Sequence, residues 1–442
     1  MTDRMTRIDC DVIIGAGVSG LASAAVLRNQ GLDARCFEAR DRIGGRVFTV
    51  HEPLCPYAIE LGAEFMHGRP REILDLVESS QLRIYEHAHT AVHIANGRTI
   101  RDGGPGAAAD KVFLRMADAI RAKDLSFDQF LSRLRVSNDI KKWARLQVEG
   151  FNAARSADIS VGSLVREAKA AEKIDGNSAF RILEGYDSIP QALYRAIPNP
   201  GSAICLNAMA QVVRWRPGSV EVLFRHPLDP REFVVRCSQL IITVPLGVLQ
   251  ATPDGAGAIQ FDPEPAVPLR AARRLVFGHV SRVTLRFRDR FWDESETFRR
   301  VGYFLARDEP FFAWWPTHPL LSPLLTGWMA GSATEHFRPA GAEEAAAGAL
   351  QSLSRLMKRA IPRPEAFYFH DWQGDPFSRG AYSYVPIGGD GAREILAKPV
   401  SNTLFFAGEA AEIAGHASTV HGAIATGRRA AQLILRARKR TS

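Results

Sequence analysis

A glycine-rich turn near the start of the chain constrains the fold more than any other feature of the sequence. Gly15, Gly17 and Gly20 form a G-x-G-x-x-G pattern that follows a short apolar run at 11–14 and opens a stretch of helical apolar spacing at 18–29. An apolar run closed by glycine is typical of a buried strand. The order strand, glycine turn, helix predicts the dinucleotide-binding unit of an α/β fold.

Each glycine of this turn has a separate physical role. Gly15 permits the tight turn, Gly17 lets the backbone approach a pyrophosphate, and Gly20 lets the helix pack closely on the strand. The N terminus of the helix, where Ser19 lies, supplies N–H donors and a partial positive charge to an anion. The turn is therefore predicted to bind the pyrophosphate of a dinucleotide.

A second apolar run ends at Glu38, whose carboxylate can accept hydrogen bonds from both hydroxyls of a ribose. An acid at this position disfavours a 2′-phosphate, so an NADP-type ligand is not expected. Ala39 and Arg40 follow directly and belong to the predicted site. Arg46, after Gly45, can neutralise a pyrophosphate bidentately, which is more typical of FAD proteins than of NAD dehydrogenases.

The remaining patterns divide the chain into alternating parts. The stretch 110–171 is rich in helical spacing, 204–250 and 303–330 contain strand patterns, and a strand at 403–406 precedes a last helix at 419–436. A dinucleotide unit whose partner elements return at the end of the chain implies an interleaved α/β architecture. We predict one domain from residues 1–80, 181–265 and 395–442, and a second from 81–180 and 266–394.

Composition excludes several other classes of protein. The 56 Lys and Arg residues give a formal net charge of +8, but they are scattered, which favours a solvated surface over a nucleic-acid site. The five cysteines form no C-x-x-C pair, so neither a metal site nor a disulfide framework is indicated. With no apolar leader and no apolar window of about 20 residues, we expect a cytoplasmic protein without a membrane span.

Six segments in the same order resemble the flavin amine oxidase family, with polyamine oxidases and the catalytic domain of flavin-type histone demethylases nearest in motif. They are the ADP-binding signature 11–47, the E-L-G-A-E-F-M-H-G segment 60–68, the glycine turn 185–187, the T-V-P-L-G-V-L segment 243–249, the W-x-x-D-P-x-x-x-G-x-Y pattern of Trp372 to Tyr382, and the pair 406–409 and 419–423.

The resemblance implies a two-domain flavin amine oxidase fold, in which a Rossmann-like FAD-binding domain is interleaved with a substrate domain of mixed sheet and helices. The cysteine that carries FAD covalently in some subfamilies would lie near Ala381, so the FAD is expected to be non-covalent. The implied reaction is oxidation of a small-molecule amine. Hydride transfer to flavin N5 gives an imine that water hydrolyses to an aldehyde or ketone. Molecular oxygen or another electron acceptor would reoxidise the flavin, and the protein could assemble as a homodimer.

The resemblance also assigns site residues beyond the glycine turn. The FAD is expected to contact Gly62, Ala63, Glu64, Phe65, Ala210, Pro245, Trp372, Tyr382, Gly408, Glu409, Ser418, Thr419 and Val420. The helix that starts near Thr419 would point its N terminus at the flavin, where its dipole favours negative charge. Trp372 would flank the flavin ring, and His67 would lie in the substrate cavity.

Two residues depart from the family pattern. Arg282 occupies the position of a lysine that is linked in the family to the reaction of reduced flavin with oxygen, and arginine does not lose its proton at ordinary pH. Alternatively, Arg282 simply shares a polar strand face with Thr284 and Arg286. His416 stands where the family often places an aromatic ring, and histidine titrates near neutral pH.

These departures leave other functions open. An amino-acid oxidase needs an arginine that binds the substrate carboxylate, a role open to Arg282, and a flavin-dependent desaturase or dehydrogenase of the same superfamily is also possible. A flavoprotein that has lost turnover and acts as a scaffold is a hypothesis of a different class. Arg282 and His416 are the residues that would support it.

Overall fold

A computed structural model of the protein describes residues 7–100, 105–119, 124–229 and 231–439. The glycine turn belongs to a parallel sheet of five described strands. Their order across the sheet is Ile204–Cys205, Ala34–Phe37, Asp11–Ile14, Leu240–Ile242 and Leu404–Phe406. These strands lie far apart in the sequence, so the sheet is interleaved as predicted.

The carboxyl ends of these strands meet at one edge of the sheet, which places the turn after Ile14 and the segment after Phe406 on either side of Thr243, at the end of the strand Leu240–Ile242. The helix Val18–Arg28 begins directly after Gly17 and packs against the C-terminal helix Val420–Lys439. A Cβ atom on Gly427 would lie 2.1 Å from the carbonyl oxygen of Ser19, so only glycine permits this approach. The two ends of the chain thus form one face of the domain.

A second sheet packs beside the parallel sheet and shares an apolar core with it. Its strands, in order, are Arg7–Asp9, Glu232–Cys237, Ser219–Arg225, Met209–Arg216 and Gln260–Asp262. The pairing register shifts between Ala210 and Val212, which marks a bulge at the start of the strand Met209–Arg216. A bulge locally redirects the backbone, and here it closely follows Ala208, whose N–H donates to the carbonyl oxygen of Glu38 at 2.7 Å.

A seven-stranded sheet forms the centre of the other half of the molecule. Its order is Ala366–Phe369, Val280–Arg286, Leu324–Ala330, Ala313–Pro316, Tyr303–Ala306, Ala91–Ala95 and Arg98–Ile100. One face is apolar and packs on the helix Ala342–Met357. All of its strands come from the ranges predicted for the second domain, whose exact boundaries remain a prediction.

The remaining strands form small sheets that connect the two halves. They are Met66–His67, Ala179–Ile182 and Ile84–Glu86 in one sheet, Val276–Gly278 with Tyr382–Tyr384, and Thr49–Glu52 with Cys55–Glu60. The first of these sheets spans both predicted boundaries, near residues 80 and 180, so the two halves are joined by continuous hydrogen bonding there.

Helices fill the rest of the described chain. They are Arg71–Ser79, Pro105–Phe113, Met116–Ala119, Phe127–Arg133, Asn138–Asn152, Val161–Glu172, Ser188–Arg195, Pro200–Ala203, Leu246–Leu249, Ala266–Arg273, Ala333–His336 and Ala392–Leu396, with 3-10 turns at Phe291–Glu294 and Glu409–Ala411. The helix-rich prediction for 110–171 agrees with this, although residues 120–123 lie outside the described part. No helix within the described ranges has the length and apolarity needed to cross a bilayer.

Candidate active site

One large cavity runs between the two halves of the molecule. Its volume of about 1560 Å³ exceeds the range of about 300–1,000 Å³ that is usual for a small-molecule site. Every residue predicted to contact the cofactor lines this cavity except Gly20, whose predicted role was helix packing. The predicted substrate-side residues Arg282, Trp372, His416 and His67 line it as well.

The glycine turn has the geometry that its sequence predicts. Gly15 has a φ of +99°, which is favourable only for glycine. A Cβ atom on Gly20 would lie 1.9 Å from the carbonyl oxygen of Gly15, whereas one on Gly17 would meet nothing nearer than Gly45, at 4.0 Å. Gly20 is therefore required for packing, and Gly17 leaves open space beside the N terminus of the helix.

The N terminus of the helix Val18–Arg28 is free to bind an anion. Gly17 occupies the N-cap position and offers no side chain that could accept from the first N–H groups. No acidic residue lies in the first turn either. These unsatisfied donors and the helix dipole together favour a phosphate at this end of the cavity.

Glu38 lies at the carboxyl end of the next strand, with its side chain buried at the edge of the cavity. It accepts the N–H of Ala16 at 2.8 Å through Oε2 and the N–H of Arg40 at 3.0 Å through Oε1. Each carboxylate oxygen has a further lone pair, so these bonds orient the group and leave capacity for ribose hydroxyls. Arg40 itself pairs with Asp375 at 2.7 Å.

Arg46 and Glu409, both predicted to contact the cofactor, also contact each other. Arg46 Nη1 donates to Glu409 Oε1 at 3.0 Å and to the carbonyl oxygen of Ala381 at 2.7 Å. The other Glu409 oxygen accepts from the hydroxyl of Ser383 at 2.6 Å. Burial alone would raise the pKa of Glu409, but the charges of Arg46 and Arg393 outweigh it and hold this pKa below its usual range.

The turn before the C-terminal helix closes the same side of the cavity. Thr419 Oγ1 accepts the N–H of Gly422 at 3.0 Å, as a capping side chain does, and donates to the carbonyl oxygen of His416 at 2.6 Å. Ser418 has a φ of +64° and donates its hydroxyl to the carbonyl oxygen of Ser383. The predicted residues Ser418, Thr419 and Val420 are thus fixed at the helix N terminus.

Trp372 is held under the segment that contains Gly62. Its indole Nε1 donates to the carbonyl oxygen of Leu61 at 2.8 Å, and the residue is 4 % exposed. A Cβ atom on Gly62 would lie 1.9 Å from the carbonyl oxygen of Arg46 and 3.2 Å from the Trp372 ring. This close packing positions the backbone of Gly62 and Ala63 along the cavity wall.

Arg282 lies in the cavity wall and forms a buried ion pair with Glu64. Its Nη2 lies 2.6 Å from Glu64 Oε2, and its Nη1 donates to the carbonyl oxygen of Gly62 at 2.9 Å. Arg181 Nη2 lies 2.5 Å from the other Glu64 oxygen, and Trp315 Nε1 donates to Glu64 at 3.0 Å. The carboxylate of Glu64 is therefore occupied by protein groups, a partnership that the sequence did not predict.

The electrostatics of this cluster follow from two guanidinium groups facing one carboxylate. Burial would raise the pKa of Glu64, but the charges of Arg181 and Arg282 outweigh this effect and hold the pKa below its usual range. Burial is also the main reason that the pKa of nearby His87 falls to about 4, so this imidazole is neutral at physiological pH. Glu64, Arg181 and Arg282, which we call the Glu64 cluster, consequently carry one net positive charge beside the cavity.

An aromatic chamber occupies the part of the cavity next to this cluster. Trp315 lies at its centre, with ring centroids 5.8 Å from Phe65, 5.8 Å from Trp328 and 6.4 Å from Tyr303. The hydroxyl of Tyr382 donates to the carbonyl oxygen of Phe151 at 2.8 Å. Since the polar atoms of Trp315, Trp328 and Tyr382 all bond to protein groups, the rings present apolar faces to the cavity.

Three histidines line the same cavity as the chamber. His67 packs against Phe151 with ring centroids 5.3 Å apart, and His416 packs against His421 at 5.0 Å. Burial lowers the pKa of His67 to about 4, and burial followed by the nearby His416 and His67 lowers that of His421 to about 3. His67 and His421 are therefore neutral, and they add no positive charge where a substrate would lie.

The sequence patterns do not predict several of the residues that line the cavity. Trp315, Trp328 and Tyr303 were recognised only as strand residues, although period-two alternation places Trp314 in the core and Trp315 in the cavity. His421 lay within a recognised segment but received no role. Arg181 carried no local signal, because its partner Glu64 is brought to it by packing alone.

The shape and the polar groups of the site suit a bound dinucleotide. Open space at Gly17, an uncapped helix N terminus and the oriented carboxylate of Glu38 lie along one end of a single long cavity. Residues 118–435 match the family described as flavin containing amine oxidoreductase, and residues 13–79 match the NAD(P)-binding Rossmann-like domain. The chain belongs to the flavin containing amine oxidoreductase family. It is accordingly an oxidoreductase, and FAD is its expected cofactor.

Sequence identities to individual relatives support the assignment to this family. The chain is 29% identical to polyamine oxidase 5 of Oryza sativa subsp. japonica, over 94% of this chain and 85% of that protein. It is 28% identical to lysine-specific histone demethylase 1 homolog 2 of Arabidopsis thaliana, over 96% of this chain. The chain spans only 58% of that demethylase homologue and 57% of its counterpart in rice.

Solved structures share the fold. Wild-type putrescine oxidase bound to putrescine superposes with a TM-score of 0.80 at 23% identity, covering 98% of this chain and 100% of that one. Cyclohexylamine oxidase from Brevibacterium oxydans IH-35A gives a TM-score of 0.80 at 20% identity, with the same coverage of 98% and 100%. These likenesses establish the two-domain amine oxidase architecture.

Proposed function

We propose that this protein oxidises the C–N bond of a small amine, yielding an imine that water hydrolyses to an aldehyde or ketone, with molecular oxygen as the electron acceptor. One observation carries the proposal. The cavity that begins at the glycine turn and Glu38 continues without interruption into the aromatic chamber around Trp315. A dinucleotide and a small molecule would therefore meet inside one continuous cavity.

The chain would hold FAD with its pyrophosphate at Gly17 and Arg46, its ribose at Glu38, and its ring system near Trp372 and Thr419. When bound, FAD accepts a hydride equivalent from the carbon next to the amine nitrogen. The protein's own contribution is to orient the amine and to exclude water from the chamber.

The charges around the chamber favour a neutral amine at the reacting position. The Glu64 cluster has one net positive charge, and His67 and His421 are neutral. An alkylammonium ion would be repelled by this cluster and would lose its hydration on entering the aromatic chamber. A neutral amine avoids both costs and retains the lone pair that the oxidation requires.

The amino-acid oxidase alternative loses its main support. That function requires an arginine free to bind a substrate carboxylate, and Arg282 was the candidate. Both of its terminal nitrogens are engaged, one by Glu64 and the other by the carbonyl oxygen of Gly62. We therefore favour a substrate without a carboxylate beside the amine.

Anaerobic mixing tests the proposal directly. FAD-loaded protein is mixed without oxygen with monoamines, diamines, cyclic amines and amino acids, and the loss of the yellow absorbance is followed over time. We expect bleaching by at least one amine and formation of the matching aldehyde or ketone. Reduction by dithionite is the control that the bound flavin responds. Bleaching by amino acids alone would favour the alternative, and bleaching by none of the compounds would contradict both.

A further inference from the structure

The turn before the C-terminal helix fixes the backbone of His416 and leaves its imidazole unused. The His416 N–H donates to Glu412 Oε2 at 2.7 Å, and the His416 carbonyl oxygen accepts the hydroxyl of Thr419 at 2.6 Å. A Cβ on Gly422 would lie 2.0 Å from this carbonyl oxygen, so the turn packs closely on the helix. Neither ring nitrogen of His416 has a hydrogen-bond or ion-pair partner among the described residues. The ring is therefore available to a ligand in the cavity that it lines.

The wall at His416 separates this cavity from a second, smaller pocket. Gly415 and Ala417, which flank His416 in the chain, line both the main cavity and a pocket of about 190 Å³. This smaller pocket, which we call the outer pocket, reaches the protein surface, because its lining includes the exposed residues Lys169 and Ile413. His416 thus lies between the space for the substrate and bulk water.

The other groups of the cavity wall near His416 are poor proton acceptors. Burial lowers the pKa of His67 to about 4, and burial followed by the nearby His416 and His67 lowers that of His421 to about 3. Burial would raise the pKa of Glu64, but its two guanidinium partners outweigh this effect and hold the pKa below its usual range. A histidine ordinarily titrates near neutral pH, which suits a general base. His416, whose ring packs on His421 at 5.0 Å, is the cavity imidazole left for that role.

The charged groups on the turn and on the C-terminal helix are committed within the protein. Glu412 accepts two backbone N–H groups, each at 2.7 Å. On the helix, Arg429 donates to the carbonyl oxygen of Ala411 at 2.8 Å, and the low pKa of His421 keeps its ring neutral. These groups therefore fix the turn, and they leave the His416 ring without a counter-charge.

The helix Val161–Glu172 packs against the other side of the turn. A Cβ on Gly415 would lie 3.0 Å from the carbonyl oxygen of Arg166, whose guanidinium is engaged in a surface ion pair at 2.8 Å. Burial raises the pKa of Glu167 to about 7, with Arg393 and Arg166 opposing it. This carboxyl group titrates in the same range as an ordinary histidine, so an experiment has to distinguish the two.

The proposed oxidation needs a proton acceptor in this part of the cavity. An aliphatic amine is an ammonium ion in neutral water, with a pKa of about 10, whereas the form that reacts is the neutral amine. The aromatic chamber is apolar and the Glu64 cluster is positive, so both lower the pKa of an ammonium ion that enters. Its proton must then pass to a base before the carbon next to nitrogen is oxidised.

We propose that His416 is the general base of the reaction, which takes one proton from the substrate ammonium ion and releases it to water in the outer pocket. This assignment rests on the amine-oxidising function proposed above. One N–H bond of the ammonium ion breaks and leaves its electron pair on nitrogen, while one N–H bond forms on the imidazole. Nothing is oxidised or reduced in this step, and the imidazolium then loses its proton to solvent.

Two substrates of different basicity test the assignment. A simple alkylamine enters at neutral pH as an ammonium ion, whereas its β-fluorinated analogue is largely neutral because fluorine withdraws electrons. The limiting rate constant of anaerobic flavin bleaching is measured for both with the FAD-loaded protein. His416→Phe keeps an aromatic ring beside His421 but removes the base. We expect it to lower the alkylamine-to-fluoroamine ratio of rate constants about 100-fold, the usual contribution of a general base.

His336→Phe is the matched control, because it removes an exposed imidazole outside the cavity lining. Its ratio should equal that of the wild type. If His416→Phe also gives the wild-type ratio, the base assignment is overturned and the amine oxidation stands, since a structural disturbance alone slows both substrates alike. Failure of every amine to bleach the wild type would instead overturn the proposed function.

The pH profile distinguishes His416 from Glu167. With the alkylamine, the limiting rate constant of the wild type should fall as the pH drops through the neutral range, because an imidazolium ion cannot accept a proton. Glu167→Gln should keep this fall. His416→Phe should lose it, and its rate should instead rise towards the pKa of the free amine. Loss of the fall in Glu167→Gln, with its retention in His416→Phe, would identify the carboxyl group as the base and contradict the proposal.

Discussion

At the scale of single residues, Arg282 is the most consequential departure from the family pattern. A lysine at this position would be able to lose its proton in a buried site, whereas arginine retains its charge. The structure adds that Arg282 is fixed on both sides, by Glu64 at 2.6 Å and by the carbonyl oxygen of Gly62 at 2.9 Å. It is a permanent, immobile cation in the cavity wall.

We predict that Arg282→Lys accelerates the reaction of the reduced protein with oxygen. Unlike arginine, a buried lysine can release its proton and hold a water molecule in the cavity, and Arg181 still compensates the charge of Glu64 when it does so. Stopped-flow mixing of reduced protein with oxygenated buffer measures this reaction, and we expect a rate constant about tenfold higher, or roughly 1.4 kcal/mol less in activation free energy.

Arg286→Lys is the matched control for this variant. Arg286 lies on the same strand, but its Nη1 donates to the carbonyl oxygen of Leu54 and it does not line the cavity. Reoxidation of this variant should match the wild type. If Arg282→Lys also reoxidises at the wild-type rate, the position does not control oxygen reactivity.

Single residues also differ in how far the sequence predicts them. Gly15, Gly17 and Gly20 act through the backbone of one short turn, so their spacing alone defines their roles. Glu64 was predicted to contact the cofactor, but its carboxylate is held by Arg181 and Arg282, which reach it only through tertiary packing. No local pattern encodes such a contact.

At the scale of elements, the turn between Asp11–Ile14 and Val18–Arg28 separates packing from ligand binding. Gly20 packs against the carbonyl oxygen of Gly15, whereas Gly17 has a φ of −68° and faces open space. Alanine can adopt that φ without strain. The two glycines should therefore respond differently to the same substitution.

We predict that Gly17→Ala folds with the stability of the wild-type apoprotein but binds FAD about tenfold more weakly, a loss of roughly 1.4 kcal/mol. The added methyl group would occupy space that the pyrophosphate of FAD needs when it binds beside the helix N terminus. FAD affinity is measured by quenching of flavin fluorescence, and stability by thermal unfolding of the apoprotein.

Gly20→Ala provides the contrast. Its Cβ would lie 1.9 Å from the Gly15 carbonyl oxygen, so we expect about 1–3 kcal/mol of destabilisation even without FAD. Equal apoprotein stability in the two alanine variants would show that this reading of the turn is wrong.

Elements with strong periodicity were predicted well, and short ones were not. The strand at 11–14 and the helix at 18–29 match Asp11–Ile14 and Val18–Arg28 closely. The strands Thr49–Glu52 and Ile84–Glu86 were not identified, because they are short and mostly half-exposed and so lack a clear alternation. Their position depends on the sheets that they join.

At the scale of the whole molecule, the cavity is assembled from distant parts of the chain. Its walls include the glycine turn, the strand end at Thr243, the C-terminal helix and the seven-stranded sheet. A ligand that fills this cavity contacts both halves of the molecule and so stabilises their arrangement.

We predict that removing FAD lowers the midpoint of thermal unfolding and that adding FAD restores it in a concentration-dependent manner. At a free concentration 100-fold above Kd, one bound ligand stabilises the folded state by about 2.7 kcal/mol. Differential scanning fluorimetry of the apoprotein across a series of FAD concentrations measures the effect.

FMN is the control for this experiment because it lacks the adenosine half that would lie at Glu38 and the glycine turn. We expect a smaller shift of the midpoint with FMN than with FAD at the same concentration. A midpoint that does not respond to FAD would contradict the proposed cofactor site.

The interleaved parallel sheet has a consequence for synthesis of the protein. Its edge strand Leu404–Phe406 pairs with Leu240–Ile242, and the helix Val420–Lys439 packs on Val18–Arg28, so both are synthesised long after their partners. The glycine turn is synthesised early, and it remains without the segments that complete the cofactor pocket until nearly all of residues 1–439 have been made. We therefore expect flavin to be loaded only after residues 404–439 have left the ribosome, so that cells short of the vitamin precursor accumulate apoprotein in which this segment has already been made.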